Sequence, residues 1–285
     1  MKEYIVFKRQ RELGEILSDT FKFIRLEYKP LFSALVKNAG IPFLVLLAAA
    51  GFNAATATDF TDITGGIFRS GNVIMGVLFL MVALLFYYGF LYGTVLNYIK
   101  SYIENEGNVN QEQISQAVRA NLGGLVGLGV LSAIILIAGF VVCILPCVYL
   151  SVPLSLVFAI MIFRGRGISD SISESFVLIK GEWWVTFATI IVVSLVVYLI
   201  GMVFQVPVII YTIIKGLTSS SEISNGDFSS MFDWVYITLN VIASAVSYIL
   251  YAVVAIASAF IYYNLNETKN QTGTLERIDS IGDNI

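Results

Sequence analysis

The sequence has no histidine, two cysteines and five prolines, and only 13% of its 285 residues are charged. Without histidine, the usual general base, the commonest metal ligand and the side chain that titrates near neutral pH are all absent. Cys143 and Cys147, in "CILPC", are too few for a disulfide framework and have no companion metal ligands. They read as ordinary apolar residues near a helix end, with a local disulfide as the alternative. No glycine-rich phosphate loop, nucleophile elbow, paired catalytic carboxylates or metal cluster can be named. "RGRG" at 164–167 is too short for a nucleic-acid patch, and at a helix end it suffices to anchor lipid phosphates. The expectation is a chain that is not an enzyme, carries no cofactor or metal and binds no nucleic acid.

The rest of the composition is apolar, at 57% hydrophobic residues and a mean hydropathy of +0.82. Six segments, near 34–55, 72–99, 121–142, 145–163, 184–214 and 233–263, supply the roughly 20 apolar residues needed to cross a bilayer core of about 30 Å. The third and fourth are nearly continuous, and Pro146 is expected to stop the helix between them and make a tight hairpin. In the fifth, Gln205 and Pro207 interrupt a long apolar run, which predicts a kink. The charged, amphipathic N-terminus lacks the apolar core of a cleavable signal, so the first span is expected to direct insertion.

Placing the N-terminus inside puts fifteen Lys and Arg residues on the cytoplasmic side and only Arg69 and Lys215 outside. This predicts an all-α polytopic protein, N-in and C-in, with six transmembrane helices arranged as three hairpins. The two longer outer loops, "ATDFTDITGGIFRSGN" and "GLTSSSEISNGDFSS", read as polar connections. Fifteen acidic residues accompany the fifteen inner cations, so the inner face as a whole does not read as polybasic.

Each hairpin is preceded by an amphipathic stretch, at about 9–29, 110–120 and 168–183. The first and third share a phrase. Leu17, Ser18, Asp19, Thr20 and Phe21 match Ile172, Ser173, Glu174, Ser175 and Phe176, and Ile24, Arg25, Glu27 and Tyr28 match Ile179, Lys180, Glu182 and Trp183. The middle copy keeps only Ile114, Ser115 and Ala117. The chain therefore reads as one membrane domain, 1–263, built from three units at about 9–99, 110–163 and 168–263, followed by a cytoplasmic tail, 264–285.

The stretch "LSLVFAIMIFRGRGISDSISESFVLIKGEWWVTF" resembles the membrane domain fused to some bacterial glycerophosphodiester phosphodiesterases and related uncharacterised six-helix membrane proteins. Arg164, Gly167, Ser171 and Ser175, ahead of Lys180, Gly181 and Trp184, carry the likeness, and "ELGEILSDTFKFIR" resembles the group's N-terminal phrase. What the resemblance implies is a helical membrane module. It does not imply hydrolysis, because the His and carboxylate residues of that catalytic site have no counterparts here.

No Asp, Glu, Arg or Lys lies deep in any of the six spans, which weakens ion-coupled transport as a reading. Tyr87, Tyr88, Tyr92, Asn97 and Gln205 are the polar groups that could line a cavity for a lipid headgroup or small amphiphile; interhelical packing is the plainer reading of all five. Gly89 and Gly93, and Gly123 and Gly127, form small-residue pairs suited to close helix packing or dimerisation. The leading expectation is an accessory or scaffold subunit of the bacterial inner membrane, in contact with lipids and a protein complex. Phe21, Tyr28, Phe176, Trp183, Trp184 and the tail's Ile278 would serve as partner contacts or surface anchors. The tail, with Leu275, Ile278 and Ile281 at helical spacing, should be held by the protein's own surface helices or by a partner.

Overall fold

A computed structural model describes residues 4–56, 71–219 and 229–282. It is helical from Leu13 onward apart from short connections, with no strand among the described residues. The helices are α1 (Leu13–Thr56), α2 (Gly71–Glu104), α3 (Gln111–Val142), α4 (Ile144–Leu154), α5 (Val157–Arg164), α6 (Ile168–Ile179), α7 (Trp183–Thr218), α8 (Trp234–Asn270) and α9 (Thr272–Gly282), with a 3-10 turn at Ser229–Phe232. Six stretches are long and apolar enough to cross a membrane: α1, α2, α3, α4 with α5, α7 and α8. The chain is an all-α polytopic protein. Most of the outer loops of the sequence reading, 57–70 and 220–228, lies outside the described residues.

Boundaries follow from where the backbone can be broken. The first amphipathic stretch and the first span form one 44-residue helix, which runs on through Pro30 and Pro42 although each removes one helical N–H. The second stretch likewise runs on into α3, which Asn110 caps by accepting from the amides of Glu112 and Gln113 at 3.0 and 3.2 Å. Only the third is a separate helix. α6 ends at Ile179, Lys180 caps it, and Gly181 follows at φ +90°, a left-handed value that side chains resist.

Pro146 does not stop the helix before it. The break is a single extended residue, Cys143, at φ −175° and ψ 158°. Pro146 sits in the first turn of α4, where its missing N–H would have had no helical partner. Both cysteines are free thiols. Gly139 brings the hairpin arms together, its Cβ position lying 3.3 Å from the Cys147 backbone. α7 is assigned as one helix through Pro207.

The chain packs as two compact units. One comprises the described residues of Met1–Ala39, Tyr88–Leu195 and Ala252–Ile285. Its core is aromatic. Phe7 stacks on Phe260 at 4.3 Å, and Phe23 meets the edges of Phe7 and Tyr102 at 5.4 and 5.3 Å. In the same unit Gly93 lets α3 approach α2, because a Cβ there would lie 2.7 Å from Leu125 Cδ1. Gly89 faces Val126 in the same way, so this glycine pair serves internal packing. Of the other pair, Gly127 faces Ile168 while Gly123 meets nothing within 4 Å.

The described residues of the second unit, Gly40–Tyr87 and Val196–Tyr251, are packed largely with small and aliphatic side chains such as Leu46, Ala49, Val73, Ala83 and Ala243. Its polar staple is Asp233, which accepts from the Tyr236 amide at the start of α8 and pairs with Lys215 at 2.8 Å.

Candidate functional site

The described chemistry concentrates in the first unit, where two arginine clamps converge on the end of α8. In the N-terminal clamp, Arg11 Nε donates to Asp19 at 2.9 Å, and Arg9 Nη2 donates to the same oxygen at 2.9 Å. The Arg11 side chain is fully buried. Its remaining donors reach the carbonyls of Phe7 and Val6, and its guanidinium lies 4.8 Å from the centre of the Phe260 ring. Burial pulls its pKa down, and the hydrogen bond to Asp19 opposes that. For Arg9 the bond to Asp19 is the largest influence and raises its pKa.

The second clamp stands at the other surface helix. Arg164 and Arg166 both reach Glu174. Arg164 Nε donates to the Tyr262 hydroxyl at 3.0 Å, and its Nη2 donates to Asn266 at 2.8 Å. Gly165, at φ +63°, turns the chain between the two arginines. Adding 155 to the numbers of Arg9, Arg11 and Asp19 gives Arg164, Arg166 and Glu174, the offset of the shared phrase. Thr20 and Ser175, at that same offset, are both buried and return their hydroxyls to their own helices, at the carbonyls of Ile16 and Ile172.

α8 joins the two clamps. Asn264 accepts from the Arg11 amide at 2.7 Å, two residues before Asn266. Farther along, Lys269 donates to the carbonyls of Val177 and Lys180 at 2.7 and 2.8 Å, capping the end of α6. The buried Glu267 then accepts from Thr272 Oγ1 at 2.5 Å and the Gly273 amide at 2.8 Å, fixing the first turn of α9. Gly273 is packed so closely that a Cβ would lie 2.7 Å from the Lys8 carbonyl oxygen. Lys8 pairs with Glu276 at 2.5 Å. The tail is thus mounted on the protein's own N-terminal segment, beside a cleft of about 550 Å³ lined by Tyr4, Val6, Lys8, Ile103, Glu106 and Glu276.

The residues singled out from the sequence are dispersed around this mount. Tyr28, Trp184 and Ile278 are exposed, at 56%, 76% and 58%, and Phe21 is marginally so. Phe176 and Trp183 are half-buried. Trp183 Nε1 donates to the Tyr149 carbonyl at 3.2 Å, an acceptor that Pro153, four residues on, leaves without its helical amide. The polar groups of the spans are drawn into packing. Tyr87 donates to the Tyr248 carbonyl at 3.1 Å, Asn97 donates to Gly93 of its own helix at 2.8 Å, and Tyr92 lies against Phe158. Tyr88 and Gln205 are half-buried. Among the described residues, no group of three Cys, Asp or Glu is placed to hold a metal ion.

Arg11, Asp19, Glu174, Asn264, Asn266 and Glu267 are not singled out by the sequence reading, and Arg164, read there as a lipid-phosphate anchor, instead engages Glu174 and Asn266. The signal lay in "RQR" and "RGR", each just ahead of the shared phrase and in register with it. Compared with known proteins, the chain matches no family model, and neither a curated protein nor a solved structure is significantly similar to it.

Proposed function

We propose that this chain is a non-enzymatic integral membrane protein of the bacterial inner membrane that acts as an accessory or scaffold subunit, presenting its C-terminal helix to a partner protein. The observation that carries this reading is the mounting of α9. Gly273 and Glu276 face the N-terminal segment, while Leu275 and Ile278, on the opposite side of the helix, are 54% and 58% exposed. An apolar pair costs free energy when it faces water, and a helix tied down at its first turn supports a role in presenting that pair. The two clamps supply the rigid base. The likeness to the membrane domain of the phosphodiesterases belongs to the same proposal, as does repetition of a clamp-plus-surface-helix unit.

The test is extraction of the tagged full chain from native cells in mild detergent, with identification of co-purifying proteins by mass spectrometry. The expected result is a stoichiometric protein companion lost on Leu275→Glu/Ile278→Glu. A protein that purifies alone, carrying a specific lipid released by Tyr88→Phe or Gln205→Ala, would instead support the lipid-binding alternative.

A further inference from the structure

α1 has a surface that neither the clamps nor the tail uses. Its 44 residues measure about 66 Å at 1.5 Å per residue, while roughly 20 residues suffice for the hydrocarbon. If the C-terminal stretch crosses, the portion from Leu13 to about Val36 lies on the cytoplasmic side of the acyl core. That portion nevertheless exposes Tyr28, Phe32 and Val36, spaced one turn apart. Arg25, Lys29 and Lys37 are exposed on the adjoining stripe.

This face has no counter-charge of its own. From Thr20 to Thr56 the one acidic residue is Glu27, which is fully buried and accepts from the Tyr98 hydroxyl at 2.8 Å. Among the described residues, Arg25, Lys29 and Lys37 make no ion pair, whereas Asp19, Glu174 and Glu276 are each engaged by a cation. The inner side is balanced in total and segregated in space.

An occupant must cover aromatic and aliphatic side chains and at the same time offer anions alongside them. It must do so on the cytoplasmic extension of a helix that enters the bilayer. The boundary between headgroups and acyl chains meets all three conditions. We infer that the 25–37 face of α1 binds anionic phospholipid of the cytoplasmic leaflet. Arg25, Lys29 and Lys37 hold headgroup phosphates, and Tyr28, Phe32 and Val36 sink into the acyl boundary. The long cationic side chains reach the phosphates while their stems stay on the apolar stripe.

The test places an NBD fluorophore at Ser33→Cys, between Lys29 and Lys37, in the full chain carrying Cys143→Ala and Cys147→Ala. The protein is reconstituted in phosphatidylcholine vesicles doped with doxyl-labelled phosphatidylglycerol or, separately, doxyl-labelled phosphatidylcholine. Quenching should favour phosphatidylglycerol about fivefold and weaken as salt is added. The preference should vanish in Arg25→Gln/Lys29→Gln/Lys37→Gln and persist in the charge-keeping Arg25→Lys/Lys29→Arg/Lys37→Arg, which also controls for folding. Equal quenching by the two lipids overturns the proposal. So does a label reached by aqueous iodide, or one shielded from lipid and iodide alike, which would mean water or protein covers the face.

Discussion

Replacing Asp19 with alanine removes the carboxylate that lies 2.9 Å from Arg11 Nε. The Arg11 side chain has 0% exposure, so its charge cannot turn to water. Stripping the partner from a buried charge costs about 3–5 kcal/mol, and the carbonyls of Phe7 and Val6 still held by Arg11 favour the lower end, about 3 kcal/mol. For a chain of this size that corresponds to a fall of roughly 6–12 °C in Tm. Arg11→Met alone leaves Asp19 bonded to Arg9, with 15% side-chain exposure, so its cost should be about 1–2 kcal/mol. The double variant removes charge and counter-charge together and should cost less than the sum, by about 2 kcal/mol. Thermal unfolding in mild detergent, followed by tryptophan fluorescence, reads all three. Additivity within about 0.5 kcal/mol, or an Asp19→Ala shift of that size, would refute the buried clamp.

Three further substitutions probe the surrounding packing. Gly273→Val drives a side chain into the Lys8 backbone and should detach α9, read as faster proteolysis after Arg277 with little change in global Tm. Gly93→Val collides with Leu125 and should destabilise by about 2 kcal/mol in the same thermal assay. Trp183→Phe deletes the donor to Tyr149 and should cost about 1 kcal/mol, with no loss when Pro153→Ala returns that carbonyl to its own helix.

The membrane fold is legible in the sequence because length and hydropathy alone set it: six apolar blocks become six helices able to cross a bilayer. Boundaries are less legible, since they depend on single backbone residues. Cys143 breaks the hairpin because it is extended, a state that composition does not mark, and Pro146 is harmless in a first turn. The first two surface stretches fuse with their spans, the first straight through Pro30 despite its missing N–H, whereas Gly181 separates the third. The clamps were hidden for a different reason. Arg9, Arg11, Arg164 and Arg166 count toward the cytoplasmic charge bias wherever they point, and only folding shows them spent on Asp19 and Glu174. Glu267 gave no comparable signal, because its role depends on the chain reversing at Gln271, at φ +50°.

The central claim is that α9 is a mounted contact surface for a protein. A photo-crosslinking residue placed at Ile278 in the full-length chain, in living cells, tests it most directly, with Asn270 as the exposed control on the neighbouring helix. The prediction is one discrete protein adduct at Ile278, absent at Asn270 and abolished by Leu275→Glu. Crosslinks from Ile278 to lipid alone, or equal and diffuse labelling at both positions, would contradict it.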